Sequence, residues 1–303
     1  MHFAPAQLMS RLSGILAFPL TPFTDAGAIN LDVLRGEVDA AVESGAGAVF
    51  AACGTGEFFS LSFNEYSKVV RASVEQVAGR VPVVGGGGYG SKLAAEFASA
   101  AEQAGADGIL MFPPYPVVAP QEGLASHYRS VAAATPLGLI IYQRDNAIFA
   151  PETVAGLADL QTLVAFKDGL GDMARLRRIR LLLGDRLVLL NGMPTAEIHA
   201  IEMADAGAAS YSSSILNFMP EIAIAFQEAF AVGDVVRTNH LLDDAILPFA
   251  EIRGRQAGYP VSLTKAGARL RGRPVGRVRA PLTDPTAPDE RDLRFLLSKL
   301  ELV

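Results

Sequence analysis

The sequence predicts an α/β protein of the (β/α)8 TIM barrel class with a C-terminal helical extension. Eight short apolar, β-branched runs recur along the 303-residue chain, and segments with a 3.6-residue apolar period lie between them. A barrel of this class needs roughly 250 residues. The eight units therefore fit a single domain, and the remaining residues form the extension.

Each apolar run has the length and composition of a strand that is buried on both faces. The eight runs are Gly14–Phe18, Ala48–Ala52, Val81–Gly85, Gly108–Phe112, Gly138–Tyr142, Leu163–Lys167, Leu187–Asn191 and Ala208–Ser213. The helical period predicts helices over Leu31–Ser44, Asn64–Ala78, Ser91–Ala104, Gln121–Ala134, Met173–Leu183 and Thr195–Asp205. Glycines after these segments are typical of a chain that leaves a helix for the next strand.

The strand pattern ends after the eighth run. Helices are predicted beyond it at Ala231–Arg253, Pro260–Arg271 and Asp289–Leu300. We therefore expect a barrel over residues 1–230 and a helical extension over residues 231–303 that packs on it. Doubly wound open sheets share the alternation of strands and helices, and they are the alternative fold.

Composition excludes several classes of function. A net charge of -6 gives no electrostatic footprint for nucleic acid, and no apolar run approaches the roughly 20 residues that span a bilayer. The single cysteine, Cys53, excludes an internal disulfide and is more typical of a small packed residue than of a nucleophile. We expect a cytoplasmic protein without a bound metal, because the start of the chain lacks the features of a secretory signal and the histidines lack ligand spacing (His2, His127, His199, His240).

Lys167 is the most informative residue, because it ends the apolar run that begins at Leu163 and is followed by Asp168. An ammonium at the mouth of an apolar interior loses hydration, which lowers its pKa. A lysine of this kind is a nucleophile toward ketones. The other four lysines fall in polar-faced helical segments, where we expect solvated ammonium groups: Lys68, Lys92, Lys265 and Lys299.

Active-site groups of a barrel come from the C-terminal ends of its strands. Tyr142 ends the fifth run and Lys167 the sixth, so the two side chains are expected to face one space, where a phenol next to an amine supplies acid–base chemistry. The alternative for Lys167 is an ion pair with Asp168 or Glu57. The alternative for Tyr142 is a strand-end aromatic with its hydroxyl in water.

The glycine run from Gly85 to Gly90 formally satisfies the dinucleotide-binding pattern G-x-G-x-x-G. It falls on the third unit, and no strand-end acid follows at the required distance. We therefore favour a structural interpretation, in which the glycines let the backbone pass close to the site.

Several segments together resemble the dihydrodipicolinate synthase and N-acetylneuraminate lyase superfamily of Schiff-base (β/α)8 enzymes. They are Phe18–Phe23, Gly54–Glu57, Pro113–Gly123 including Gln121-Glu122-Gly123, the strand-five tyrosine and Phe166-Lys167-Asp168. The resemblance implies that Lys167 forms an imine, that Tyr142 relays protons, and that Gly54 and Thr55 hold the α-carboxylate of a 2-keto acid. It also implies a homotetramer and a reaction without an organic cofactor.

The chain departs from the lysine-biosynthesis branch of that superfamily. That branch has two consecutive threonines, and Gly54 stands in place of the first of them. Ala147 aligns with the arginine that follows the strand-five tyrosine in that branch. The segments that begin at Gly54, Tyr142, Asn191 and Tyr211 instead resemble a branch of decarboxylating dehydratases, whose small-molecule substrate is a keto sugar diacid. Asn191 and Ser213 are the candidates for contacts with the distal hydroxyls and carboxylate.

Three rival functions remain on sequence grounds, of which a flavin or nicotinamide oxidoreductase is the weakest. Another Schiff-base lyase of the same superfamily would cleave a 2-keto-3-deoxy sugar acid by retro-aldol chemistry without releasing carbon dioxide. A catalytically idle barrel would bind a sugar acid as a sensor, but the presence of both Lys167 and Tyr142 argues against it.

Overall fold

A computed structural model describes residues 2–303, and its eight parallel strands close into a barrel in the order β1 to β8. The first strand pairs with the eighth as well as with the second, so the open doubly wound alternative is wrong and the predicted barrel is confirmed. The strands are β1 (Ile15–Ala17), β2 (Ala48–Ala51), β3 (Val83–Gly87), β4 (Gly108–Met111), β5 (Gly138–Gln143), β6 (Leu163–Asp168), β7 (Val188–Asn191) and β8 (Ser210–Ser213).

One helix precedes the first strand and packs against the barrel interior, and the others follow the strands. They are α1 (Pro5–Arg11), α2 (Leu31–Glu43), α3 (Phe63–Val77), α4 (Ser91–Gln103), α5 (Gln121–Ala132), α6 (Pro151–Gly156), α7 (Met173–Leu183), α8 (Ala200–Asp205), α9 (Pro220–Ala231), α10 (Val235–Leu241), α11 (Leu247–Arg253), α12 (Tyr259–Leu270) and α13 (Ala287–Lys299). Within the described part of the chain, no helix is long and apolar enough to cross a membrane.

The predicted helix Ala231–Arg253 is wrong in its extent. Ala231 is the last residue of α9, and Gly233 then takes a left-handed conformation with φ of 70°, which ends that helix. Asp234 begins α10 by accepting a hydrogen bond from the backbone of Arg237 at 3.0 Å. The apolar period continues across this break, and therefore the sequence pattern did not reveal it. The domain boundary at residues 230 and 231 stays a prediction.

The interior of the barrel is filled by apolar side chains that point inward from alternate positions of the strands. Leu16, Phe50, Leu110, Ile140 and Leu190 are fully buried in this cluster. Such strands are buried on both faces, which explains their continuous apolar runs. The packed interior leaves the loops at the C-terminal ends of the strands as the place for a site.

The glycine run is mostly strand rather than phosphate-binding loop, because β3 extends through Gly87. A Cβ at Gly86 would lie 2.4 Å from the carbonyl oxygen of Ala52, and one at Gly85 would lie 2.6 Å from Tyr66 Oη. No side chain fits at these separations. The glycines therefore allow β2 and β3 to approach closely next to the loop that follows β2.

The C-terminal extension is joined to that loop by a buried ion pair. Lys265 of α12 and Glu57 are both fully buried, and Lys265 Nζ lies 2.6 Å from Glu57 Oε1. Lys265 Nζ also donates to the carbonyl of Arg277 at 3.0 Å and lies 4.0 Å from the Phe23 ring centroid. Burial lowers the pKa of Lys265, although the carboxylate of Glu57 opposes this shift. The expectation that Lys265 is solvated is therefore wrong.

Replacing Lys265 by methionine should lower the free energy of unfolding by about 3–5 kcal/mol, because the carboxylate of Glu57 stays buried without its partner. Urea unfolding of the purified protein measures this change. The double variant Lys265→Met/Glu57→Gln should lose clearly less than the single variant, since it removes the unpaired charge. Equal losses in the two variants would show that the pair is not coupled.

Candidate active site

A cavity of about 530 Å³ opens at the C-terminal ends of the strands. Its wall combines loops from the barrel with residues of the extension, so the extension completes the site. Lining residues from the barrel include Phe18, Gly54, Thr55, Phe112, Tyr142, Arg144, Lys167, Gly192, Ser212 and Ser213, and those from the extension include Arg253, Pro260 and Leu282.

Lys167 reaches this cavity from β6 with only 2 % of its surface exposed. Its Nζ lies 3.8 Å from the ring centroid of Tyr142 and 5.3 Å from that of Phe18. Burial lowers the pKa of Lys167 below its ordinary value, because few polar groups replace the lost water. A lysine in this environment has a larger share of neutral, nucleophilic amine at neutral pH.

Both acids that were considered as partners of Lys167 are engaged elsewhere. Asp168 accepts hydrogen bonds from Gln143 Nε2 and from the backbone of Gly171, each at 2.7 Å. Glu57 is held by the lysine of α12. Among residues 2–303, no carboxylate forms a salt bridge with Lys167, and the ion-pair alternative is therefore wrong.

Tyr142 lies next to Lys167 in register across β5 and β6, with its hydroxyl between two polar groups. Tyr142 Oη donates to the carbonyl of Gly192 at 3.2 Å and accepts from Arg144 Nη1 at 3.3 Å. Burial alone would raise the pKa of Tyr142, but the positive charges of Lys167 and Arg144 outweigh it and lower the pKa. The geometry therefore favours proton transfer at this hydroxyl.

Gly192 lies against Lys167, and the sequence did not predict it as a site residue. A Cβ at this position would lie 2.6 Å from Lys167 Nζ, 2.8 Å from Lys167 Cγ and 2.9 Å from the carbonyl oxygen of Asp168. The absence of a side chain lets the loop after β7 close over the lysine. Arg144 was also missed as a site residue, although it stands two positions beyond Tyr142, and the two-residue repeat of a strand was a usable signal.

The four predicted substrate-binding residues fall in two groups. Gly54, Thr55 and Ser213 line the cavity together with the catalytic candidates Lys167 and Tyr142.

Asn191 is buried away from this set. Its neighbour Leu190 pairs with Lys167 and points into the barrel, so the side chain of Asn191 points to the opposite face of β7. Asn191 Nδ2 donates to the carbonyl of Ala196 at 2.9 Å, and its Oδ1 accepts from the backbone of Met193 at 3.0 Å. Asn191 therefore shapes the loop and does not line the cavity.

Two ionisable residues near the β8 side of the cavity had no sequence signal. Glu197 lies in the 3-10 turn Ala196–His199, and its Oε1 accepts a hydrogen bond from Ser213 Oγ at 2.5 Å. Burial raises the pKa of Glu197 to about 7. Arg253, at the end of α11, lines the cavity, and its Nε is buried without a hydrogen-bond partner among the described residues.

Cys53 is buried next to this site and donates weakly to the carbonyl of Ala51 at 3.5 Å. Burial raises the pKa of its thiol well above the ordinary value, although Lys167 opposes this shift. A neutral thiol is a packed residue rather than a nucleophile. No group of three His, Cys, Asp or Glu side chains in the described residues is arranged to hold a metal ion.

The fold and the site define a (β/α)8 barrel protein whose cavity contains a lysine without a counter-ion. The dihydrodipicolinate synthetase family matches residues 11–300, and the chain belongs to this family. A dihydrodipicolinate synthase from Bacillus clausii superposes with a TM-score of 0.89 at 29% identity, over 97% of this chain and 99% of the other. YagE from E. coli K12, a member of the same family solved in complex with pyruvate, gives a TM-score of 0.85 at 26% identity, over 96% and 99% of the two chains.

The relatives found by sequence indicate a more specific class of enzyme than the solved structures do. The chain is 50% identical to the probable 5-dehydro-4-deoxyglucarate dehydratase 1 of Streptomyces avermitilis, over 97% of this chain and 96% of the relative. It is 44% identical to the probable 5-dehydro-4-deoxyglucarate dehydratase of Bradyrhizobium diazoefficiens, over 96% and 93% of the two chains. Both matches extend across the barrel and the extension.

Replacing Gly192 by alanine should destabilise the protein by about 1–3 kcal/mol, the usual cost of inserting a methyl group into a packed site. The lysine amine can swing away, but Lys167 Cγ and the Asp168 carbonyl cannot, so the loop must move. Urea unfolding measures the change. Gly36→Ala is the control, because nothing lies within 4 Å of a Cβ at that position and the helical backbone of α2 suits alanine. Similar stabilities for the two variants would contradict the close contact.

Proposed function

We propose that this protein converts 5-dehydro-4-deoxy-D-glucarate to 2,5-dioxopentanoate, carbon dioxide and water through an imine on Lys167. The observation that carries the proposal is the buried Lys167 amine, which lines the cavity without a carboxylate partner among the described residues. The names of relatives that match nearly the whole chain support the choice of substrate.

The first step is attack of the neutral amine of Lys167 on the substrate ketone. The lowered pKa of Lys167 makes this form available, and the apolar surroundings favour loss of water from the carbinolamine. The backbone amides at Gly54 and Thr55 and the Thr55 hydroxyl are proposed to hold the carboxylate next to that ketone. Binding there would place the carbonyl carbon at the lysine.

The second step is removal of a proton from the methylene next to the iminium. Tyr142, or a water that it positions, is the proposed base, because its ring centroid lies 3.8 Å from Lys167 Nζ and its residue lines the same cavity. Arg144 donates to this hydroxyl and would stabilise a phenolate. The lowered pKa of Tyr142 supports this assignment.

The enamine then expels the β-hydroxyl as water, which gives an iminium conjugated with a carbon–carbon double bond. When the distal carboxylate leaves as carbon dioxide, its bonding electron pair enters this conjugated system. Hydrolysis of the imine and tautomerisation of the resulting enol release 2,5-dioxopentanoate. The iminium nitrogen accepts the electrons at each stage, so the reaction needs no organic cofactor.

Ser213 is proposed to contact a distal hydroxyl of the substrate, because it lines the cavity on the β8 side. Asn191 does not keep a substrate role in this proposal, since both ends of its side-chain amide bond the loop backbone. We further propose a cytoplasmic homotetramer, in keeping with the family resemblance. Exposed apolar side chains at Tyr115, Val117 and Val118 near the cavity mouth favour association with another subunit.

The purified protein should release carbon dioxide from 5-dehydro-4-deoxyglucarate, with little condensation of pyruvate with aspartate semialdehyde and little cleavage of N-acetylneuraminate. A site built for one diacid leaves buried polar groups unpaired with other substrates. Side-by-side measurements of kcat/KM on these substrates test the proposal. Borohydride reduction during turnover should attach the substrate-derived mass to the peptide that contains Lys167.

Lys167→Met is the control for the trapping experiment and should show neither label nor carbon dioxide release. Pyruvate release or pyruvate condensation that dominates by kcat/KM would overturn the dehydratase assignment while leaving the imine chemistry in place. A label on Lys68 or Lys92 would overturn the role of Lys167.

Replacing Tyr142 by phenylalanine should lower kcat roughly 10²–10⁴-fold, which is the usual contribution of a positioned acid or base. The aromatic ring that packs against the lysine is retained, so borohydride should still trap the imine. Steady-state carbon dioxide release and the yield of trapped protein measure the two effects separately. Unchanged turnover would remove Tyr142 from the mechanism.

A further inference from the structure

Arg253 is a partly buried cation in the cavity wall that the steps above leave without a function. It is the last residue of α11 and the one ionisable residue that the extension contributes to the described lining. Its Nε is buried without a hydrogen-bond partner, and no carboxylate forms a salt bridge with the guanidinium among residues 2–303. A charge of this kind is costly to keep out of water unless a ligand pairs with it.

Most arginines of the extension are paired with a carboxylate. They are Arg237, Arg255, Arg269, Arg271, Arg273, Arg277 and Arg279. Arg291 and Arg294 of α13 have no salt bridge in the described part of the chain, but both are exposed and water solvates their charges. Arg253 therefore differs from the other arginines of the extension, because it is partly buried and also unpaired.

Glu197 is the acid whose charge acts on Arg253, and it does not neutralise the guanidinium. Glu197 Oε1 accepts a hydrogen bond from Ser213 Oγ, and its Oε2 has no partner among the described residues. Burial raises the pKa of Glu197 to about 7, so the carboxyl is partly protonated at neutral pH. Burial also lowers the pKa of Arg253, but a guanidinium stays protonated at this pH. A net positive charge therefore remains on this side of the cavity.

The other cations of the cavity are engaged. Arg144 Nε donates to Asp145 Oδ2 at 2.7 Å, and Arg144 Nη1 donates to Tyr142 Oη at 3.3 Å. Lys167 carries the imine in the proposed reaction. Of the two carboxylates of a diacid, one is assigned to the β2 loop, and the second needs a cation. Arg253 is the cation in the described cavity wall that has no other partner.

The position of Arg253 matches the far end of the substrate. The π-helical turn Leu242–Ile246, which leads into α11, packs on the 3-10 turn that follows β7. The carboxylate site on the β2 loop and the base on β5 occupy two other sides of the cavity. The carbons beyond the imine therefore have the β7 loop and the extension as their wall.

A second unpartnered group lies in the β7 loop. Thr195 lines the cavity with 3 % of its surface exposed, and its Oγ1 is buried without a hydrogen-bond partner among the described residues. Its φ of 49° is left-handed, which is unfavourable for a β-branched residue and typical of functional sites. A hydroxyl donates readily to a carboxylate. Thr195 thus supplies a donor in the same part of the wall as Arg253.

We propose that Arg253, together with the Thr195 hydroxyl, binds the distal carboxylate of the substrate and selects diacids over keto acids with an uncharged end. This inference rests on the proposed function, because it takes the diacid as the ligand, and it adds the residues that bind the second carboxylate. A guanidinium binds a carboxylate through two parallel N–H···O hydrogen bonds. Arg253 is then a specificity-determining residue that the extension, rather than the barrel, supplies.

The test compares two six-carbon 2-keto acids that differ only at the distal end. 2-Oxoadipate ends in a carboxylate and 2-oxohexanoate in a methyl group, and neither has a β-hydroxyl to lose. The measured quantity is the concentration of each acid that gives half-maximal borohydride trapping at Lys167 of the full-length protein, followed by mass spectrometry. Wild-type protein should bind 2-oxoadipate roughly 10²-fold more tightly, which is the usual effect of a desolvated ion pair.

Arg253→Met replaces the guanidinium by an uncharged side chain and should abolish this preference. Both acids bind the same lysine, so a variant that only distorts the site weakens both and leaves their ratio in place. Thr195→Val removes the hydroxyl but keeps the branched shape, and it should reduce the preference roughly tenfold. Arg294→Met, at an exposed arginine of α13, is the matched control and should keep the wild-type ratio.

Two results would overturn the carboxylate site. They are equal trapping of the two acids by wild-type protein, and a preference for 2-oxoadipate that persists in Arg253→Met, which would assign the carboxylate to another cation such as Arg144. Neither result affects the proposed function if wild-type protein releases carbon dioxide from 5-dehydro-4-deoxyglucarate. Wild-type protein that shows a preference dependent on Arg253 but releases no carbon dioxide would instead overturn the dehydratase assignment and leave the carboxylate site in place.

Discussion

The site depends on keeping the amine of Lys167 in apolar surroundings and away from every carboxylate. Lys265, the other fully buried lysine, differs because its amine lies 2.6 Å from the carboxylate of Glu57, which favours the charged form. Glu57, the acid of the β2 loop, is paired with Lys265 of the extension. The extension also completes the cavity wall around Lys167.

The same constraint explains why Gly192 and Arg144 lie close to the amine of Lys167. Gly192 lets a loop carbonyl approach and accept the hydrogen bond from Tyr142, which orients this hydroxyl at the lysine. Arg144 adds a permanent positive charge, which favours the phenolate without offering the lysine a counter-ion. Burial, with a smaller contribution from Arg144, lowers the pKa of Lys167, whereas burial alone would raise the pKa of Tyr142 and the positive charges of Lys167 and Arg144 lower it.

The cavity has two chemically different sides. Lys167, Tyr142 and the β2 loop form one side, where imine formation and proton removal are proposed. Ser213 and Arg253 line the other side, where the distal part of a diacid is proposed to lie. A six-carbon keto diacid has the same polarity of functional groups, with a ketone at one end and a hydroxyl and carboxylate at the other.

The sequence by itself determined the barrel and the pairing of its two principal side chains. Apolar periodicity is a local property, and Tyr142 and Lys167 both end apolar runs, so their adjacency followed once the strands were in order. The register of β7 against β6, which turns Asn191 away from the cavity, needed the three-dimensional pairing. The burial of Lys265 and the approach of Glu197 and Arg253 to the site also depended on the three-dimensional packing. A local pattern shows the face on which a charge lies, but only tertiary packing decides whether that face meets solvent or an acid distant in sequence.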